Sequence, residues 1–329
     1  MSSVSSGVSL PKAAEPRVSR FSIAFTGRSF QRGLVLFVGF VLAAGRHTVA
    51  AALRAAGTLA AGHHTAYHRF FSRARWSPWP LGKVLAGMVL DLVPPGEPAV
   101  CPVDDTADEH KGPSVYGKGR HRDACRSTRS YTAWLWGHKW VVLAVNVTLP
   151  FCPRPWALPV LVALYRPKEL DAKEGRRHKT PADLGRQLIA VLVHWFPDRK
   201  FILLGDRGYN CHELARFCRR HRRHVTLVAL CHARANLYTP PPRRRKGQKG
   251  RPRVKGDKLP APRDVVAATP GRKRSVVGWY GGGRRRVEFV TGTGHWYKGG
   301  GGLAAVRWVF VRDRDGTTRT GTSSPPTRP

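Results

Sequence analysis

Apolar residues along this chain change their spacing twice, and those changes divide it. From Phe21 to Val93 they recur at helical intervals: Leu34, Leu36, Phe37, Phe40 and Val41, then Val49, Leu53 and Leu59, with breaks at Gly45, Gly57 and Gly62. The pattern predicts several short helices joined by glycine turns. After the breaker Pro94-Pro95-Gly96, apolar residues come instead in short runs: Ala99-Val100 with Val103, Lys139 to Val147, Leu158 to Tyr165, Phe201 to Leu204 and Val225 to Leu230. Such runs between turn residues predict buried strands. One long helix interrupts them. Thr180 is its cap, Pro181 lies in its first turn, and Leu184, Leu188, Val191, Leu192 and Trp195 give it one apolar face as far as Pro197. Further on, Val276 to Tyr280, Val287 to Thr291 and Val306 to Arg312 are strand-like pieces between glycine clusters.

The remaining segments lack a core pattern. Residues 1–20 are serine-rich and are expected to form a disordered leader. The segment from Pro240 to Arg253 combines prolines with like charges, which oppose compact packing, and reads as an exposed basic linker or arm. From Gly316 onward no residue could build a core. The expected organisation is a leader over 1–20, a helical domain over 21–95, an α/β core over 96–238, a basic arm over 239–275, a β-rich unit over 276–315 and a disordered tail over 316–329.

Charge narrows the class of partner. Lys and Arg number 57 against 20 Asp and Glu, a net charge of +37. Self-repulsion of that size opposes folding unless a polyanion neutralises it, so nucleic acid is the expected partner. The six cysteines contain no CxxC pair, and no secretory signal opens the chain. These features predict free thiols and a cytoplasmic protein, bound to the nucleoid when on DNA. The apolar run from Gly33 to Ala44 is shorter than the ~20 residues a bilayer span needs, so no membrane partner is expected.

Candidate chemistry sits at two strand ends. The run Ala99 to Val103 leads into Asp104-Asp105-Thr106, and Phe201 to Leu204 leads into Gly205-Asp206. A lone carboxylate pair could equally be a turn or a helix cap. Two strands each delivering an acid at the C-terminal end is the arrangement in which open α/β sheets place active sites. Candidate phosphate contacts are Arg69, Arg73 and Arg75 among the aromatics of the helical region, Lys118 and Arg120 in a glycine-rich bend, and Arg243, Arg244, Arg245, Lys246, Lys249, Arg251 and Arg253 in the arm.

Taken together, Asp104-Asp105-Thr106 with Lys111-Gly112, the bend Gly119-Arg120-His121-Arg122-Asp123, Gly137-His138-Lys139-Trp140-Val141-Val142-Leu143 and Gly205-Asp206-Arg207-Gly208-Tyr209 resemble a bacterial insertion-sequence transposase of the DDE superfamily. Tyr67 to Trp76 resembles that group's N-terminal helical region, and Val306 to Asp313 a strand of its β insertion. The resemblance implies a ribonuclease H-like mixed sheet with flanking helices, preceded by a small helical DNA-binding domain and followed by a β-rich insertion. It implies an endonuclease and polynucleotidyl transferase that cuts and joins double-stranded DNA at element ends and targets, as a homodimer. Three acids would hold two Mg²⁺ or Mn²⁺ ions. Asp104 takes the first role because the family pattern reads Asp-any-Thr, Asp105 is the runner-up, and Asp206 takes the second.

The third acid of that pattern is a glutamate on a helix after the β insertion, whereas this sequence stops about one strand past Trp308. Glu288 lies in an alternating strand pattern and does not match it. The expectation is a C-terminally truncated chain, DNA-binding but impaired in catalysis. The alternatives are a transposase completed by a part not in this sequence, and a non-catalytic basic nucleic-acid-binding protein derived from a transposase.

Overall fold

The computed structural model describes residues 10–113, 115–152, 154–244, 246–279 and 283–315, and the backbone of 321–324. It falls into two compact units, Met1–Met88 and Val89–Pro329.

The first unit is helical. Its elements are α1 (Glu15–Ser19), α2 (Gly27–Leu42), α3 (Val49–Ala56) and α4 (Thr65–Ser72), and α5 (Pro78–Leu90) begins in it. Side chains of Thr26 and Thr48 accept from the amides of Ser29 and Ala51, which satisfies otherwise unpaired donors at the starts of α2 and α3. The core gathers Val35, Leu36, Ala52, Ala56, Tyr67 and Phe70, with Phe25, Phe40 and Trp76 packed around them. Phe37 and Val41, expected in the apolar stripe of α2, are exposed. The expected leader is helical from Glu15, where Pro16 supplies a preset φ in the first turn; residues 1–9 lie outside the described residues. No helix among the described residues is long and apolar enough to cross a membrane.

The second unit is built on one sheet. Its strands are β1 (Ala99–Glu109), β2 (Gly119–Arg122), β3 (Trp134–Val147), β4 (Trp156–Tyr165), β5 (Phe201–Gly205), β6 (Val225–Leu230), β7 (Leu237–Tyr238), β8 (Lys273–Gly278), β9 (Arg284–Lys298), β10 (Gly302–Asp313) and β11 (Gly321–Ser324). Their order is β2-β3-β1-β5-β6-β11-β10-β9-β7, with β4 beside β3 and β8 beside β9. Its helices are α6 (Lys168–Lys173), α7 (Pro181–Trp195), α8 (His212–Arg220) and α9 (Pro262–Ala267). Strands β1, β3 and β4 pair antiparallel, while β5 and β6 run parallel to β1. Helix α8 supplies the crossover that a parallel β5–β6 pair requires. Thr180 and Asp183 close a reciprocal cap on α7, as expected, and its Leu184, Leu188, Ile189 and Leu192 are buried. The mixed sheet with flanking helices is the ribonuclease H-like arrangement, extended by extra strands.

Three expected boundaries move. The β-rich region is not a separate body: β9 and β10 form a long hairpin joined to the rest of the sheet through β11, whose Ser323 faces both Leu230 of β6 and Val309 of β10. Strand β11 lies in the expected structureless tail. A Gly-Thr-Ser-Ser segment has no apolar pattern, but its backbone can complete the ladders of two open edges. The basic arm is likewise a closed loop rather than a linker, because the Thr239 amide donates to Asp257 O (2.9 Å) and the Gly256 amide to Thr239 O (3.0 Å). Beyond it, Leu259 and Val266 pack with Leu237, Val290 and Trp308.

Candidate active site

Strands β1 and β5 are paired in parallel from Ala99–Phe201 to Val103–Gly205. Alternation turns Ala99, Cys101 and Val103 of β1, and Phe201 and Leu203 of β5, to the buried side. The next residue on each strand is an aspartate, Asp104 and Asp206, so the two acids stand level on strands about 4.8 Å apart. Both are exposed. Neither forms an ion pair among the described residues, although the chain carries +37.

Local hydrogen bonds hold each acid. Asp104 Oδ1 accepts from the Asp105 amide (2.8 Å), and Asp206 Oδ1 accepts from the amides of Gly208 (2.8 Å) and Tyr209 (3.4 Å). The second pattern is a side-chain turn that short Asp side chains favour. Asn210 Nδ2 fastens this turn to the end of β6 through Leu230 O (2.9 Å). Tyr209 then folds back under the sheet and is buried. A Cβ at Gly205 would meet Tyr209 Cβ at 2.5 Å, and one at Gly185 would meet its ring at 3.0 Å, so both glycines make room for this side chain. Burial pushes the Tyr209 hydroxyl above its ordinary pKa, and the negative charges of Asp105, Asp104 and Asp206 push it the same way. Three carboxylates therefore act on one buried hydroxyl.

Asp105 differs from its neighbours in direction. It alternates onto the Val103 side of β1, where Lys139 of β3 forms an ion pair with its carboxylate. Lys139 also lies 5.7 Å from the Tyr165 ring centre. Sequence reasoning missed Lys139 and Tyr209: Lys139 opens an apolar run and reaches Asp105 only through the register of β3 on β1, and Tyr209 follows Gly208 and is turned under the sheet by the Asp206 turn.

Asp104 was expected at a strand end, but β1 continues past it to Glu109, and only Asp206 follows the end of its strand. Two carboxylates level on adjacent strands are hard oxygen donors, a donor set that fits Mg²⁺ or Mn²⁺ with water or substrate completing the shell. No group of three or more His, Cys, Asp or Glu is placed to hold a metal among the described residues. Glu288 is engaged elsewhere. It sits on β9 with Arg274 and Arg314 at 3.5 and 3.6 Å and Arg272 at 3.9 Å.

The basic candidates are spread over separate places. Arg69, Arg73 and Arg75 are exposed on or just after α4, while Tyr67 and Phe70 of the same helix are core. Lys118 and Arg120 flank the β2–β3 hairpin, over the rings of Trp136 (5.5 Å) and Trp134 (4.3 Å). In the closed loop Arg243, Lys246, Lys249 and Arg251 are exposed. Arg244 folds back on the carbonyls of Gln248 and Gly250, and Arg253 pairs with Asp257 at 3.1 Å. Arg245 lies outside the described residues.

Sheet order, flanking helices and level acids define a ribonuclease H-like protein with an acidic site where β5 ends beside the middle of β1. The chain belongs to the DDE superfamily endonucleases, whose family pattern matches residues 20–286. It is also similar to a solved piggyBac transposase, from a synaptic complex with hairpin DNA, at 11% identity and a TM-score of 0.35, over 96% of this chain and 57% of that one. No curated protein matches it.

Proposed function

We propose that this protein is a DDE-type transposase that binds the ends of an insertion element, with Asp104 and Asp206 as its metal-holding acids. The observation that carries the reading is the position of those acids, level on parallel strands, exposed and without a cationic partner among the described residues of a strongly basic chain. Asp104 is preferred over Asp105 because Lys139 already compensates Asp105. A divalent cation held there would polarise a scissile phosphate and lower the pKa of a bound water. The protein's own contribution is placement. The Asp206 turn fixes one carboxylate by backbone amides, and β1 fixes the other on the neighbouring strand. Basic groups on the α4 segment, the β2–β3 hairpin and the closed loop would contact phosphates without reading sequence.

Strand cleavage and joining by two ions need a further shared carboxylate, and Glu288 of β9 is instead held by three arginines. The reading is therefore of a chain that binds DNA well and cuts it poorly. The test is strand cleavage with Mg²⁺ on DNA bearing the element ends, measured beside binding. Binding without appreciable cleavage is expected. Efficient cleavage that disappears in Glu288→Gln would make Glu288 the third ligand and contradict the assignment.

A further inference from the structure

The face of the sheet that carries Asp104 continues outward as a row of aromatic and cationic side chains. In antiparallel pairs, directly opposite residues share a face, and alternate residues along a strand keep it. Strand β3 sets Val142 opposite Asp104, Trp140 opposite Thr106 and His138 opposite Asp108. Farther along, the same alternation brings Trp136 opposite Arg120 and Trp134 opposite Arg122 on β2. Burial follows this register: Leu135, Val141 and Leu143 are buried, whereas Trp134 and Trp136 are 51% and 55% exposed. From Val142 to Trp134 the stripe runs eight residues, about 27 Å at ~3.4 Å per residue.

Leaving two indoles in water is unfavourable unless a partner covers them, and the guanidinium of Arg120, 4.3 Å from the Trp134 ring centre, marks the partner as anionic. Lys118, 5.5 Å from the Trp136 ring centre, adds a second cation beside the second indole. Arg122 is exposed in the same row. Beyond Asp104, Asp108 brings a carboxylate to the stripe, and it is paired with His110 at 3.6 Å. Flat aromatic faces interleaved with cations suit bases that are not already stacked in a duplex, together with the phosphates linking them.

We infer that the Trp134–Trp136 stripe of the β2–β3 hairpin is a stacking track for an unpaired DNA strand leading to Asp104 and Asp206. It rests on the proposed function for its direction toward the acids. The stripe is long enough for about eight nucleotides at the ~3.4 Å spacing of a stacked strand. The track gives the site a preference for frayed or overhanging DNA over blunt duplex, independent of base sequence, because every base offers a π-face.

The experiment uses the full chain and fluorescein-labelled oligonucleotides: a blunt duplex, the same duplex with an eight-nucleotide single-stranded extension, and the extension alone. The extended duplex should bind about tenfold or more tighter than the blunt one and quench tryptophan fluorescence. Trp134→Ala with Trp136→Ala should bring its affinity down to that of blunt duplex, leaving blunt-duplex binding unchanged. Trp134→Phe with Trp136→Phe should retain most of the preference, because stacking survives. Equal binding of blunt and extended DNA by the unaltered protein would overturn the inference. So would equal losses for both DNAs in the alanine variant, or an alanine variant whose only defect is loss of self-association, which would mark the stripe as a protein contact. Mn²⁺ binding measured on the unaltered protein, Asp104→Asn and Asp206→Asn separates the two ideas. A tryptophan-dependent preference with no Asp104 or Asp206 dependence of metal binding would sink the active-site reading alone.

Discussion

Val103 of β1 stands opposite Gly205 of β5 as the last pair of a parallel ladder, and the chain then puts an aspartate next on each strand.

DNA affinity should fall steeply with salt, since each phosphate neutralised by Lys or Arg releases counterions. The closed loop exposes Arg243, Lys246, Lys249 and Arg251, four cations with no intramolecular acceptor among the described residues. Because Thr239 and Asp257 already touch, replacing residues 240–256 by two glycines should leave the fold intact. The slope of log affinity against log salt should then shrink by roughly 3 to 4, at ~0.9 per contact. Fluorescence anisotropy across a salt series measures it, and an unchanged slope would mean that the loop does not touch DNA.

Glu288 should matter to stability and not to metal. Its side chain is largely buried among Arg272, Arg274 and Arg314, so Glu288→Gln leaves three guanidinium groups uncompensated. A loss of about 1 kcal/mol in urea unfolding is expected, because Arg274 and Arg314 are largely solvated, with Mn²⁺ affinity unaltered. Weakened metal binding with unchanged stability would contradict this role.

Acid should expose a second structural carboxylate. Asp171 is buried and accepts from Arg166 Nε (2.8 Å) and pairs with His178 Nδ1 (3.1 Å). The Arg166 hydrogen bond, helped by that of His178, holds its pKa below the ordinary carboxylate value against the opposing effect of burial. A depressed carboxylate stabilises above its unfolded pKa of about 4, and that stabilisation is lost as pH falls below it. Asp171→Asn should therefore be less stable than the unaltered protein at pH 7, with the gap narrowing below about pH 4. Urea unfolding at several pH values checks the sign, and a gap independent of pH would contradict it.

Asp206 was legible because β5 is an apolar run that stops at Gly205, so its end could be read directly; the apolar run before Asp104 marks only the first half of β1, which pairing with β3 carries on to Glu109. The direction of Asp105 was not: a carboxylate turned by one position faces the opposite side of the sheet, and only pairing with β3 assigns it to Lys139. Register also hid the stripe, since Trp134 and Trp136 join Arg120 and Arg122 only once β2 is laid against β3. Strand β11 was illegible for another reason. Gly-Thr-Ser-Ser has one strand-favouring residue, Thr322, and no apolar alternation, and its conformation comes from the backbone edges of β6 and β10 that it completes. Closure of the basic loop similarly depends on the Thr239–Asp257 contact, across a stretch whose composition alone reads as a linker.

The central claim is that Asp104 and Asp206 form one metal site while Asp105 is held by Lys139. Mn²⁺ titration followed by electron paramagnetic resonance tests it on the unaltered protein and on Asp104→Asn, Asp206→Asn and Asp105→Asn, with circular dichroism confirming that each is folded. Asp104→Asn and Asp206→Asn should each weaken Mn²⁺ binding by about tenfold or more, since each removes one of two anionic ligands, and Asp105→Asn should change it far less. Unaltered binding in both of the first two variants, or binding abolished by Asp105→Asn alone, would contradict the account.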